Sequence, residues 1–513
     1  MPTYTSPGVY IQETQLSSLT SSAGGQAAAA FWGTASRGPV TATPITDWNT
    51  YKSLFGDLQD AYDLGYAVYH YFANGGRVAY VTRVAAADAV SAETATPVQW
   101  YPLATGSLGV AADMMTLTAN SPGLWGNGLT TTITAGDVIA SVTNFPTFNL
   151  TVLLNGKEVE RWVELSVDPD DNRYVEAVVN SYSSFITVSD VNPDNNPYEV
   201  DAEFDLAGAT FTLGADGTIV PDTAFPAAFD SIDTIKGNLI LNAVGQVSTT
   251  ITTAILSKAA TRGDSFAILD PLKTDVTLAQ TQATAANFVT GGNAGYGAAY
   301  APALRMVDPG KTGVGAVRTT FPGGALAGLY VRTDTQRSVA KTPAGDLSDI
   351  RGAISTVYKL TNTQVGTLYT GTPAVNTFKV VAGAGVNVSG GRTLNKLNPD
   401  KYINVRRTLN YLKTSLAELT EFAVFESNDE RLWVNINSRI AGFLSEFWRS
   451  GGMKGSRSAD AFYVICNASN NTPASIDQGE VHIDVGVALQ YPAEFVVINL
   501  AQWSGGSNAI DSL

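Results

Sequence analysis

Residues 402–500 hold the most regular alternation of apolar and polar positions in the chain. Within residues 402–419, Val405, Leu409, Leu412, Leu416 and Leu419 recur at alternating spacings of four and three, which lays them along one helical stripe and leaves Arg406, Arg407 and Lys413 off it. A second helix is expected to begin near Ser427. Ser427 and Glu430 stand at capping-box spacing, Leu432, Ile436, Ile440, Phe443 and Phe447 follow on one face, and Gly451 and Gly452 stop the helix. Strand-like runs come next. Residues 461–466 (AFYVIC) are a short apolar run, and Val481, Ile483, Val485, Val487 and Leu489 alternate with His482, Asp484, Gly486 and Ala488 before Pro492 interrupts. Residues 494–500 (EFVVINL) are a third strand candidate.

Two helices with two strands of their own make a sheet too narrow to be stable without further strand partners. Two loosely joined segments can supply them: residues 9–13 (VYIQE), with Val9, Tyr10 and Ile11, and residues 494–500, with Phe495, Val497, Ile498 and Leu500. Either can pair within its own chain. Donation between identical subunits satisfies the open edges by β-augmentation instead, and a donation that does not close on itself builds a ring or an open helical polymer. The region therefore reads as an assembly module.

Upstream the pattern changes character twice. Residues 16–26 are Ser, Thr and Gly, as in a flexible tether. Residues 27–33 (AAAAFWG) begin an ordered body. Leu64, Val68, Tyr71 and Phe72 share a helical face, Gly75 and Gly76 stop that helix, and residues 78–84 (VAYVTRV) form a strand. His70 falls off the apolar face, so a solvated histidine is expected. From about 88 to 250 short β-like segments are broken by Gly, Pro, Asn and Asp, as in an inserted β-rich domain. From about 251 helix and strand alternate again, with 251–259 helical and 265–269 (SFAIL) a buried strand ending at Asp270. The expected fold class is mixed α/β and α+β, in several domains. An N-terminal arm and tether (1–26) precede a middle α/β domain (27–87 with 251–395) that is interrupted by the β-rich insertion (88–250). A C-terminal two-helix and β-sheet module (396–490) and a final strand and arm (491–513) complete the chain.

A chain of 513 residues has room for about three or four domains. With 44% hydrophobic and 15% charged residues it is of globular composition. The formal charge of −15 lacks the basic footprint that nucleic acid or an anionic membrane surface demands, so neither is an expected partner. No apolar run approaches the roughly 18 residues of a membrane span, and no basic-then-apolar leader marks the N-terminus for secretion. The single cysteine, Cys466, excludes an internal disulfide and lies in an apolar run, as a core residue would.

Support for catalysis is thin. The only histidines are His70 and His482, and no nucleophile elbow, zinc pair or cysteine cluster is present. The acidic loop from Asp168 resembles a calcium loop but has Arg173 and Val179 where Gly and Glu are required. Gly310-Lys311-Thr312 lacks the earlier glycine of a phosphate loop, because Arg305 occupies that position, and Tyr300 occupies the third-glycine position after Gly295 and Gly297. Asp270, at the end of a buried strand, is the candidate acid of the rival reading, a carboxylate-dependent α/β hydrolase. No enzyme activity, metal or cofactor is expected.

Taken in order along the chain, a set of short motifs resembles the contractile tail sheath family, whose members jacket the rigid tube of contractile-tailed bacteriophages and related injection machines. The motifs are Ser6-Pro7-Gly8-Val9-Tyr10, residues 33–39 (GTASRGP), Phe55-Gly56, residues 72–84 (FANGGRVAYVTRV) and residues 119–129 (ANSPGLWGNGL). Further on come residues 262–270 (RGDSFAILD), 326–334 (LAGLYVRTD), 341–345 (KTPAG), Gly391-Arg392-Thr393-Leu394, 402–407 (YINVRR) and 492–496 (PAEFV). Residues 300–304 (YAPAL) and Ser389-Gly390-Gly391, which lacks an expected tryptophan, depart from the family pattern. The resemblance implies a C-terminal module that accepts strands from two neighbours, with stacked hexameric rings forming a helical sheath around a tail tube protein. It also implies contacts with baseplate and tail terminator proteins, and a strained extended state that contracts without nucleotide hydrolysis to carry the tube through the host envelope. The tethers at 16–26 and before Asp400 would act as hinges, and the β-rich insertion would lie outermost. Arg449, Lys454 and Arg457, beside the second helix, are the candidates for an electrostatic, releasable contact with the tube. Such a protein would sit in a virion tail, assembled in the host cytoplasm.

The sheath of an extracellular contractile injection system is the alternative within this class. A type VI secretion sheath, usually built from two chains with a recycling helix, fits less well. A secreted surface-layer or adhesin protein would share the acidic, Thr- and Gly-rich composition but would need an export signal.

Overall fold

The computed structural model describes residues 27–494 apart from 95–97, 101–102, 105–106, 109–111, 140–145, 192–208, 289–290, 314, 382–384 and 398. The expected linking residues Val9, Tyr10, Ile11, Phe495, Val497, Ile498 and Leu500 lie outside the described residues.

Runs such as AAAFWG, LILNA and SFAIL are apolar at nearly every position, the pattern of parallel strands covered on both faces. They lie in one eight-stranded sheet. Its strands are β1 (Ala28–Gly33), β2 (Thr43–Ile45), β3 (Ala79–Arg83), β4 (Leu239–Ala243), β5 (Ser265–Leu269), β6 (Gly297–Tyr300), β7 (Val375–Val381) and β8 (Gly385–Ser389), in the order β2-β3-β1-β4-β5-β6-β7-β8. The six inner strands are parallel and the two outer ones antiparallel to their neighbours. Successive side chains of β1 go to opposite faces: Ala29 and Phe31 join one core with Ile240, Phe266 and Ile268, while Ala30 and Trp32 join another with Leu239, Leu241 and Leu269.

Five helices position everything else: α1 (Leu64–Ala73), α2 (Thr249–Arg262), α3 (Gly323–Gln336), α4 (Ile403–Thr420) and α5 (Glu430–Arg449). Helices α1 and α3 cover the first face and α2 the second. Gly324 and Gly328 let α3 touch the backbone of α1, since a Cβ at these positions would lie 2.2 Å from the Ala67 carbonyl oxygen and 2.3 Å from that of Tyr71. His70, expected to be solvated, is instead 2% exposed and buried with most of α1. One apolar stripe predicts one covered side, whereas α1 is buried on more than one.

Between β3 and β4 the chain builds separate antiparallel sheets with a core of their own. Leu129–Ile139, Pro146–Leu154 and Lys157–Leu165 form one, and Ala112–Ala119 pairs with Ile186–Ser189 in another. Phe148, Leu150, Leu165, Val179 and Ile186 fill the core. The expected boundary at 250 is too late. The helix Ala224–Phe229 packs under the central sheet, with Trp32 donating Nε1–H to the Ala228 carbonyl at 3.0 Å and meeting Phe229 edge-on, and β4 lies in the middle of that sheet. In isolation LILNA reads like any short β segment; only its pairing with β1 and β5 assigns it.

Two buried arginines fasten these sheets to the body. Arg37, of the GTASRGP motif, donates Nη2 to the Lys52 and Ser53 carbonyls and stacks 4.4 Å over Phe185 and 5.6 Å from Trp125 of the ANSPGLWGNGL motif, with burial lowering its pKa to about 10. Arg83 donates to the Pro122 carbonyl.

Candidate assembly site

Helix α5 starts two residues inside the expected cap. Asp429, in extended conformation, accepts the Leu432 amide at 3.0 Å, so it caps α5 in place of Ser427 and no Ser427–Glu430 box forms. Leu432, Trp433, Ile436, Ile440, Leu444 and Phe447 are buried along one stripe. Beneath most of that stripe lie β9 (Phe462–Ile465) and β10 (Asp484–Val487), antiparallel, with Phe462 opposite Val487 and Ile465 opposite Asp484. The long alternating run at 481–489 thus yields a four-residue strand. Cys466 packs in this core, and burial pushes its thiol up to about 11. Tyr463 and Ile465, 38% and 36% exposed, face the other way. Among the described residues β9 and β10 have no third strand beside them, so both outer edges carry backbone groups without a ladder partner.

Helix α4 joins this module to the middle domain. Its apolar stripe is only partly covered, with Val405 and Leu412 buried and Leu409, Leu416 and Leu419 half-buried. The polar side is the more deeply inserted one. Arg407 donates through both terminal nitrogens to Asp334 of α3 and lies 4.7 Å from the centre of the Tyr330 ring. Arg406 pairs with Asp400 and stacks 4.5 Å over Tyr296. Asn410 donates to the Ser265 carbonyl at 2.8 Å, which sets α4 across the amino-terminal end of β5. The segment before Asp400 is pinned at its ends: Thr393 N–H donates to the Lys401 carbonyl and Ile403 N–H to the Gly391 carbonyl, each at 3.0 Å. Motion at this junction therefore has to break named contacts.

Arg449, Lys454 and Arg457 are all exposed, Arg449 in the last turn of α5 and the others in the loop after it. That loop is held by Trp448 Nε1–H donating to the Gly455 carbonyl at 2.9 Å and by Lys454 N–H donating to the Ala488 carbonyl at 3.1 Å. Arg457 forms an exposed ion pair with Asp460 at 3.1 Å, which offsets its charge locally and contributes little to stability. Charge is distributed unevenly along the chain. Residues 88–218 hold 18 acidic and 3 basic side chains, a net −15 that equals the charge of the whole chain and leaves the remainder neutral.

Asp270 is fully buried at the end of β5, where it accepts the Asn242 side-chain amide at 3.0 Å, the Gly245 N–H at 3.1 Å and the Gly323 N–H at 2.7 Å. Burial raises its carboxyl to about 6 against these bonds. The group ties β4 and β5 to the N-terminus of α3, a structural duty. Asp270→Asn puts an amide where backbone N–H groups donate, and the expected cost is about 1–3 kcal/mol in urea unfolding; an unchanged midpoint would contradict this role. Among the described residues no three His, Cys, Asp or Glu side chains group as a metal site requires.

Comparisons with known proteins point to one family. Residues 398–502 match the phage tail sheath C-terminal domain, which covers α4, α5, β9 and β10. The tail sheath protein of Enterobacteria phage T4 is 26% identical over 185 residues, 36% of this chain, and that of Vibrio phage KVP40 is 27% identical over 183 residues. These matches span only 27% and 26% of the length of those proteins. The sheath complex of an extracellular contractile injection system in its contracted state superposes with a TM-score of 0.56 at 20% identity, over 98% of this chain and 99% of that one. A sheath tail protein from Listeria innocua gives 0.60 at 15% identity over 92% and 97%. The C-terminal module thus matches the phage tail sheath C-terminal domain, about a third of the chain is similar in sequence to phage tail sheath proteins, and nearly the full length shares the fold of contractile sheath proteins.

Proposed function

We propose that this chain is the structural subunit of a contractile tail sheath. It polymerises as stacked hexameric rings around a tail tube, attaches to baseplate and terminator proteins, and contracts to drive the tube through a host envelope. The observation that carries the reading is the two-stranded β9–β10 sheet, which among the described residues has no third strand on either edge and which lies in the region that matches the phage tail sheath C-terminal domain. The pair packs on α5, and an added strand would satisfy the backbone N–H and C=O groups along its edges by β-augmentation. Val9, Tyr10 and Ile11 at one end and Phe495, Val497, Ile498 and Leu500 at the other are the donor residues in this reading, and non-closing donation propagates a polymer. Arg449, Lys454 and Arg457 form the tube contact, screened by salt and so releasable. The residues between β3 and β4, with their net negative charge, lie on the outside. The particle is a phage tail, assembled in the host cytoplasm.

The test is negative-stain electron microscopy of the intact chain and of a chain lacking residues 1–15, across concentration and salt, alone and co-expressed with the tube protein. Hollow cross-striated tubes from the intact chain and monomers from the truncated one are expected. Intact chain that stays monomeric even with its tube overturns the reading. The likeness to an injection-system sheath over nearly all of both chains favours a second reading, in which the particle is extracellular and carries no genome; capsid and packaging genes beside this one would exclude it.

A further inference from the structure

The last described residue of the C-terminal segment occupies a socket on the middle domain. Arg392 donates Nε to Glu494 Oε1 at 2.8 Å and Nη2 to Oε2 at 2.6 Å, Tyr369 donates its hydroxyl to Oε1 at 2.8 Å, and Lys401 Nζ lies 4.0 Å from Oε2. The Glu494 and Arg392 side chains are 9% and 12% exposed. Other contacts hold the socket in place. The Arg392 guanidinium lies 4.0 Å over the Tyr369 ring and donates Nη1 to the Tyr369 carbonyl, and Asn376 of β7 both accepts the Arg392 N–H and donates to its carbonyl. A bidentate, charge-assisted pair on a preset guanidinium is among the stronger polar contacts a protein makes.

The residues leading to Glu494 bridge two bodies. Gln490 donates its side-chain amide to the Gly451 carbonyl in the C-terminal module, and its own carbonyl accepts from Asn404 at the start of α4. The Tyr491 ring meets the Tyr402 ring edge-on at 5.7 Å. Within five residues the chain passes from the C-terminal module, across the first turn of α4, to the edge of the central sheet.

We propose that Glu494 is a latch: through Arg392 and Tyr369 it docks residues 490–494 as a strap across the junction between middle domain and C-terminal module. Residues 490–494 thus end on the middle domain, and not on the β9–β10 sheet. Resting on the sheath reading, a strand donated by 495–500 would pull directly on the middle domain of its own subunit.

Hydrogen–deuterium exchange of the full, unassembled chain tests the latch without requiring polymerisation, so its outcome is separate from that of the microscopy above. In Glu494→Gln, amides of residues 391–394 and 488–494 are expected to exchange at least about tenfold faster, with β1, β4 and β5 unchanged. Unaltered protection at 488–494 overturns the proposal, and so does a uniform loss that includes the central strands. Should Glu494→Gln fail to fold, Tyr369→Phe decides: a smaller rise confined to the same amides supports the latch, and no rise there refutes it.

Discussion

Arg407→Ala is expected to lower the unfolding free energy by about 3–5 kcal/mol, the largest single-residue loss foreseen for this chain. The pair it breaks joins α4 to α3, and both side chains are buried. Burial raises the Asp334 carboxyl, and Arg407 is what opposes that rise. With the guanidinium gone, a carboxylate is left unpaired in a desolvated site near Tyr330. The cost is mainly that of an uncompensated charge, so the double replacement Arg407→Met with Asp334→Leu should lose much less than Arg407→Ala alone. Urea unfolding of the three variants reads this directly. A loss below about 1 kcal/mol for Arg407→Ala would place the pair with exposed salt bridges and remove its role at the junction.

The second large effect is a dependence of stability on pH that comes from His70. Its Nε2 is buried without a hydrogen-bond partner, and burial lowers its pKa from 6.5 to about 4, with Asp308 opposing. The folded state holds the ring neutral where the unfolded chain would already protonate it. Its contribution is therefore full above pH 6.5 and falls as the pH drops through the window from 6.5 to 4, at up to about 1.4 kcal/mol per unit and about 3 kcal/mol in all. Asp270 acts in the opposite sense: its carboxyl, raised to about 6, favours the folded state as pH falls between about 6 and 4. The two slopes partly cancel in the native chain. Comparison with His70→Leu isolates the histidine. Relative to that variant the native chain should lose stability steadily between pH 6.5 and 4.5; parallel curves would show that His70 is solvated after all.

Much of the fold was legible because the central strands are apolar runs bounded by turn residues, and α5 carries a clean stripe. Those features are local and need no partner to be read. Two corrections share a cause: the burial of His70 and the boundary at 250 both depended on what another part of the chain brings alongside. The assembly site divides the same way. Its unfinished sheet followed from counting strands between 402 and 500, whereas the buried arginines of α4 were passed over as residues off the stripe. A signal for them was present. The motifs that carry the family resemblance meet in pairs in the fold: GTASRGP with ANSPGLWGNGL through Arg37 and Trp125, LAGLYVRTD with YINVRR through Asp334 and Arg407, and Gly391–Leu394 with PAEFV through Arg392 and Glu494. Unlike charges in the last two pairs are what sequence reading could have matched.

By itself, then, the sequence determined where the main helices and several central strands lie, that the C-terminal module carries only a few short strands, and which family the chain resembles, because periodicity, breakers and motif order are properties of neighbouring residues. Tertiary structure alone decided which polar groups are buried and with whom. Desolvation and ion pairing depend on surroundings assembled from segments tens to hundreds of residues apart, and that is why His70, Asp270, Arg407 and Glu494 acquired their roles only in the folded chain.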